Sequence, residues 1–140
     1  MVESNNAALA VIVSTDLPYS ALTAHALADD GVPLVLASDL SIHGHALKTD
    51  GRLSLLFTGN NDPARPLTTP RLTLLGRAIV AEPEDREPYL ARQPGAKLYF
   101  DFGDMRLYRV EISSTHLVVG FGRAVSVSPA MLKIKYATIP

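Results

Sequence analysis

The sequence contains no cysteine among its 140 residues. A disulfide framework, a thiolate nucleophile, a cysteine-based zinc site and an iron–sulfur centre are therefore excluded. An excess of charge of one sign is also missing, because 13 basic residues face 14 acidic ones and the formal net charge is −1. Such a chain has no long-range field that would attract a nucleic-acid backbone, and we expect no nucleic-acid partner.

Long apolar runs are absent as well. The longest run, from Ala7 to Val13, falls far short of the ~20 residues that a membrane-spanning helix needs. A secretory signal would place basic residues before its apolar stretch, whereas Glu3 stands there instead. These features predict a cytoplasmic protein without a membrane partner. The hydrophobic content of 47% is sufficient for the core of a single domain spanning residues 1–140.

Alternation with a period of two predicts a mainly β protein. Asp29, Asp30 and Gly31 predict a hairpin turn between the second and third strands. We expect six or seven antiparallel strands that close into a small barrel, because closure removes exposed sheet edges. The predicted strands are Ala8–Val13, Tyr19–Ala26, Val32–Ala37, Arg52–Thr58 and Arg71–Ala81, followed by a hairpin of Met105–Ile112 and His116–Val127 that turns at Ser113–Thr115.

Helical spacing appears in two segments. Leu40, His43 and Leu47 predict a short helix between residues 38 and 50, with Asp39 or Ser41 as its cap. Residues 83 to 98 contain three prolines and predict one or two further short helices. The acidic residues at the beginning of that segment are typical of a solvated helix start. They are Glu82, Glu84, Asp85 and Glu87.

Residues 43 to 77 show a local excess of positive charge in a neutral chain. Cationic side chains and the free N–H groups of a helix start are what a phosphate monoester needs. The alternative interpretation is that these are solvated strand and loop residues. A metal site is not predicted, because His43 and His45 diverge on a helix. The cations are Lys48, Arg52, Arg65, Arg71 and Arg77, against the carboxylates of Asp50 and Asp62.

Several segments, taken in order, resemble a known family over about residues 7 to 128. It is the pyridoxamine 5′-phosphate oxidase-related split β-barrel family, and in particular its HugZ-type haem-utilisation branch. The resemblance implies a six-stranded antiparallel split β-barrel of the FMN-binding type, which forms a homodimer and holds FMN in a groove between two subunits. The segments are Pro18–Ser20, Gly31–Pro33, Ser38–Leu40, His43, Arg71–Ala78, Pro94, Tyr99, Asp104 and Gly120–Ala124.

The same resemblance implies which residues would hold the cofactor. Four residues at the end of the third strand and on the following helix correspond to the phosphate-binding positions, and a fifth begins the fifth strand. Three residues of the second strand would lie along the isoalloxazine ring. The residues expected to bind the phosphate are Ser38, His43, His45, Lys48 and Arg71. Those expected to lie along the ring are Tyr19, Ser20 and Ala21.

The chain departs from the family pattern at its helix. His43-Gly44-His45-Ala46 replaces His-Thr-Arg-Asn, which removes a guanidinium and an amide. A counterpart of the C-terminal domain that ligates haem iron in haem-degrading members is also not expected. The leading hypothesis is an FMN-binding protein of oxidoreductase type. A cofactor-free homodimeric barrel that binds another small anion or a partner is the alternative, and non-catalytic haem binding through His43, His45 or His116 is the third.

Overall fold

The structure is a computed structural model that describes residues 5–119 and 124–127. These residues form one antiparallel sheet, two α-helices, α1 (Ile42–Thr49) and α2 (Arg86–Arg92), and three short 3-10 helices. Within them no helix has the length and apolar character required to cross a bilayer. The strands are β1 (Asn6–Val13), β2 (Leu17–Ala24), β3 (Ala26–Leu27), β4 (Pro33–Ser38), β5 (Arg52–Thr58), β6 (Arg71–Val80), β7 (Met105–Val118) and β8 (Ala124–Val127). The 3-10 helices are Pro66–Thr68, Pro83–Asp85 and Pro94–Leu98.

The strand order shows why this sheet curls into a split barrel. Along the sheet the order is β2-β1-β5-β6-β7-β4-β3, and β8 pairs with β7. The two ends of that order, β2 and β3, are separated in the chain by His25 alone. A sheet whose edges are one residue apart must bend back on itself, and the predicted split β-barrel is therefore confirmed.

The described residues contain eight strands rather than the six or seven expected. The predicted second strand, Tyr19–Ala26, divides at His25 because its two parts pair with different neighbours. The first part pairs with β1 and the second with β4. The predicted turn at Asp29–Gly31 is confirmed, since Gly31 has a φ of 88° and its N–H donates to the Ala28 carbonyl at 2.8 Å.

The predicted turn at Ser113–Thr115 is wrong. Strand β7 continues through these residues, but its register with β6 shifts: Leu75 pairs with Ser114 and Gly76 with Ile112. Ser113 is therefore the extra residue of a β-bulge. The bulge changes which residues face inward, so residues on both sides of it remain in the core. Residues 120–123, which belong to the segment Gly120–Ala124 of the family resemblance, lie outside the described residues.

Two apolar clusters hold the layers together. The barrel interior is filled by side chains such as Leu9, Leu55 and Phe57. A second cluster joins the outer side of β4 to α2 and includes Tyr89 and Leu90. Strand β4 sends alternate side chains into each cluster, which explains its uninterrupted apolar sequence.

Helix α1 follows β4 and packs against β1. Its N-cap is Ser41, one of the two predicted caps, whose Oγ accepts a hydrogen bond from the Gly44 N–H at 3.0 Å. Gly44, Ala46 and Leu47 are buried. The first turn of α1 is therefore fixed against the carboxyl end of β4. The predicted phosphate-binding residues begin at this point.

Candidate functional site

A groove lies between the end of β1 and the start of α1, and we call it the α1 groove. Its volume of about 640 Å³ is within the range of pockets that hold cofactors. One wall is apolar, while hydrogen-bonding and charged groups form the rest of the lining. The apolar residues are Ile12, Val13, Leu40, Ile42 and Ala46, and the polar residues are Ser14, Asp39, Ser41, His45 and Thr49.

Ser38, predicted to bind phosphate, is already engaged by the protein. Its hydroxyl donates to Oδ2 of Asp104 at 2.5 Å and accepts from the Leu40 N–H at 3.0 Å. The Ser38 carbonyl accepts from the Ser41 hydroxyl at 2.7 Å. The hydroxyl therefore serves to join the end of β4 to the segment before β7.

Asp39 connects the two cations nearest to this end of α1. Its two carboxylate oxygens accept from Nε of Arg106 at 2.8 and 2.9 Å, and its Oδ2 lies 3.5 Å from Nζ of Lys48. The hydrogen bond from Arg106, together with the positive charges of Arg106 and Lys48, lowers the pKa of Asp39. Lys48 and Arg106 thus share the carboxylate of Asp39, which offsets part of their positive charge.

The two histidines of α1 occupy different environments. His43 is half-buried, and burial lowers its pKa below the ordinary value of 6.5. Its imidazole is therefore neutral at pH 7 and adds no positive charge. His45 is exposed and lines the α1 groove.

The predicted ring-contacting residues lie on β2 but do not share one face. Tyr19 pairs with Val11 of β1 and packs against the barrel interior. Ala21 is half-buried on the same side, whereas Ser20 is exposed, because side chains alternate along a strand. Pro18, next to Tyr19, pairs with the groove residue Ile12, so the segment adjoins the α1 groove.

Arg71 does not join the α1 group within one chain. Ser38 pairs with Met105 at the start of β7, whereas Arg71 pairs with Val118 at its end. The thirteen residue steps from Met105 to Val118 correspond to on the order of 40 Å of strand. The guanidinium of Arg71 donates to the carbonyls of Leu67 and Thr69, at 2.8 and 3.1 Å.

Of the eight predicted residues, His45 is the one that lines the groove, and sequence reasoning missed the charged network beside it. The sequence around Asp104 and Arg106 does not indicate this network, because their partners Ser38 and Asp39 lie 66 and 67 residues away in the chain. Asp39 was considered only as a helix cap. The structure brings these groups together where β4 and β7 pair.

The fold and the groove define a class of protein, an antiparallel split barrel with a ligand-sized cleft beside a short helix. No protein-family model and no curated protein matches the chain. Solved structures do match it. A haem-binding protein from Mycobacterium smegmatis has a TM-score of 0.86 and 26% identity, covering 94% of this chain and 55% of its own. Atu2129 from Agrobacterium tumefaciens, of unknown function, has a TM-score of 0.76 and 34% identity, covering 92% and 55%.

The haem storage protein HutZ from Vibrio cholerae is similar in fold, with a TM-score of 0.65 and 19% identity over 84% of this chain and 87% of its own. The resemblance of the chain to the pyridoxamine 5′-phosphate oxidase-related split β-barrel family, and to its HugZ-type haem-utilisation branch, is confirmed. The chain spans a little over half the length of the M. smegmatis and A. tumefaciens proteins.

Proposed function

We propose that the protein is a homodimeric FMN-binding protein of oxidoreductase type and that the flavin ring lies in the α1 groove. The observation that carries this proposal is the groove itself, which has an apolar wall and the volume of a cofactor pocket. Ile12 and Ile42 would pack on the ring, while His45 offers a hydrogen bond at its edge. A bound flavin supplies the electron or hydride transfer, and the chain orients it and limits its contact with water.

The fit of the residues to FMN differs between its two ends. The groove suits a ring, but the predicted phosphate ligands do not suit a dianion as they are arranged. Lys48 faces Asp39, the Ser38 hydroxyl donates a hydrogen bond to Asp104, and His43 is neutral.

The outer face of the sheet supports the homodimer in this proposal. Leu22, Leu56 and Leu75 are 73%, 37% and 49% exposed there, a pattern that fits a self-complementary interface. Small residues lie between them in two cross-strand rows. The rows are Leu22, Ala8, Leu56 and Thr73, and then Ser20, Ala10, Ser54 and Leu75. A second copy also offers its own Arg71, which one chain cannot bring to α1.

We predict that Leu75→Glu converts the dimer to a monomer, because the carboxylate would be desolvated in the proposed interface. Sedimentation equilibrium measures the mass, which should fall from that of two chains to 15.1 kDa. Leu98→Glu is the matched control, since Leu98 is 83% exposed on the 3-10 helix Pro94–Leu98. A monomeric wild type, or a dimeric Leu75→Glu variant, contradicts this interface.

Haem binding is the second candidate, and one observation of the site favours it. The α1 groove places the exposed imidazole of His45 beside an apolar wall, which is the environment of an axial haem ligand. The M. smegmatis and V. cholerae proteins are described as a haem-binding and a haem storage protein.

Absorbance of the freshly purified protein, followed by titration with FMN and with hemin, tests both candidates. Flavin bands, or saturable FMN binding that weakens in an Ile12→Glu variant, support the flavin proposal. A Soret band that shifts in His45→Ala supports haem instead. If neither ligand binds, both are wrong and the cofactor-free barrel, with another small anion or a partner, is the remaining hypothesis.

A further inference from the structure

Asp39 occupies the position that an anionic ligand would take beside the α1 groove. Its carboxylate lies between Arg106 and Lys48 and belongs to the groove lining. Carboxylate oxygens accept the same charge-assisted hydrogen bonds as phosphate oxygens. The two cations nearest to this end of the groove therefore already hold an anion that belongs to the protein.

The backbone fixes Asp39 in this place. Its N–H donates to the Asp104 carbonyl at 2.8 Å. Ser38, the preceding residue, is held through its hydroxyl by Asp104 and through its carbonyl by Ser41. The Asp39 side chain is 18% exposed, compared with 50% for Lys48. The carboxylate is thus a built-in part of the groove, while the lysine remains accessible.

A phosphate dianion in contact with Lys48 would also lie close to the Asp39 carboxylate, because only 3.5 Å separate Nζ of Lys48 from Oδ2 of Asp39. Repulsion from the carboxylate would offset attraction by the lysine, because both act at close range. His43 does not compensate, since its pKa is lowered and it is neutral at pH 7. His45 lines the groove, but its side chain is exposed to water, which weakens its electrostatic interaction with an anion.

We propose that Asp39 is a specificity-determining residue that disfavours phosphate dianions in the α1 groove by holding Lys48 and Arg106. The groove then holds a flavin through its ring, and the phosphate of FMN lowers its affinity relative to riboflavin. The preference for a ring rests on the proposed function. The discrimination against phosphate concerns the charged end of the groove and can be measured separately.

The test compares wild type with Asp39→Asn, using inorganic phosphate as the first probe and calorimetry as the readout. The amide keeps the shape of the side chain and removes its charge, so Lys48 becomes available. We expect phosphate to bind the variant about tenfold more tightly, as for the loss of one nearby like charge. Asp39→Glu, which keeps the charge, should behave as wild type. Asp101→Asn is the matched control, because Asp101 pairs with Arg86 at 2.9 Å on the surface.

A purely structural effect of Asp39 is separated by further substitutions. Adding both Lys48→Gln and Arg106→Gln to Asp39→Asn should abolish the gain in phosphate affinity, and added salt should reduce it. If Asp39→Asn does not fold, as judged by circular dichroism, Asp39→Ser takes its place. Unchanged phosphate affinity in the folded variant, or a gain that survives the removal of both cations, overturns the inference.

Titration with FMN and riboflavin then separates this inference from the proposed function. The ratio of FMN affinity to riboflavin affinity should rise about tenfold in Asp39→Asn, by the same electrostatic cause. If neither flavin binds any variant while phosphate binding still improves, the proposed function is wrong and the role of Asp39 stands. An unchanged ratio with both flavins bound contradicts the role of Asp39 and leaves the flavin proposal in place.

Discussion

Arg109→Met is expected to lower the free energy of unfolding by about 3–5 kcal/mol, because it leaves a buried carboxylate without its counter-charge. Nη1 of Arg109 donates to both oxygens of Asp85 at 2.8 and 3.0 Å, and Nη2 pairs with Asp30. Asp85 is only 4% exposed, so water cannot replace the lost guanidinium. Urea denaturation followed by circular dichroism measures the change.

Arg86→Met is the matched control for this prediction. Arg86 pairs with Asp101, whose side chain is 72% exposed, and we expect the loss to stay within about 1 kcal/mol. Arg109→Met combined with Asp85→Asn should recover much of the lost stability, since the amide oxygen still accepts from the Glu82 N–H and no charge is buried. A loss below about 1 kcal/mol in the single variant would show that Asp85 is compensated in another way.

The contact of Arg109 with Asp85 and Asp30 positions the helical layer on the barrel. Asp85 ends the 3-10 helix that leads into α2, Arg109 belongs to β7, and Asp30 is in the turn before β4. Three segments that are distant in sequence are therefore fixed at one point. Sequence reasoning assigned Asp85 to a solvated helix start, which is wrong for this residue. The partner that buries it lies 24 residues further along the chain.

The parts of the fold that were predicted correctly depend on local signals. The strand Arg52–Thr58 has the same bounds in the structure, because its alternation is regular and a turn glycine, Gly51, precedes it with a φ of 87°. Helix α1 was predicted from apolar spacing and a capping serine. Such features are determined within a few residues and need no knowledge of the partner strands.

The error in β7 shows where local signals fail. The inward-facing positions change phase near Ser113, and both a turn and a β-bulge produce that change in a sequence. The structure has a bulge because β6 pairs with β7 on both sides of it. Gly76 of β6 is needed there, since a Cβ at that position would lie 2.2 Å from the Glu111 carbonyl oxygen. This requirement comes from a neighbouring strand.

The charged site was the least predictable part, because counting cations along the chain ignores the groups that neutralise them. Arg52 pairs with Asp50 and with Asp16, and Lys48 with Asp39. Asp16 and Asp39 lie outside the segment 43–77 in which the excess was counted. The folded chain therefore has much less free positive charge near α1 than its sequence indicates.

Gly44→Ala is expected to destabilise the protein by about 2–3 kcal/mol, the scale of overpacking a filled site. In an isolated helix the same change would stabilise the helix by about 1 kcal/mol. A loss of stability would therefore show that Gly44 is closely packed in the folded protein. A Cβ at Gly44 would lie 1.8 Å from the carbonyl oxygen of Ser38, a backbone atom that cannot rotate away. Helix α1 would have to move off the end of β4. Thermal and urea denaturation measure the loss.

Gly95→Ala is the matched control, because Gly95 also lies in a helical segment but a Cβ there would meet no atom within 4 Å. Its effect should stay within about 0.5 kcal/mol. The displacement of α1 in Gly44→Ala should also widen the α1 groove, so binding of the flavin ring should weaken along with stability. Equal stabilities for the two alanine variants would mean that α1 is not fixed against β4, and the geometry of the groove would then be wrong.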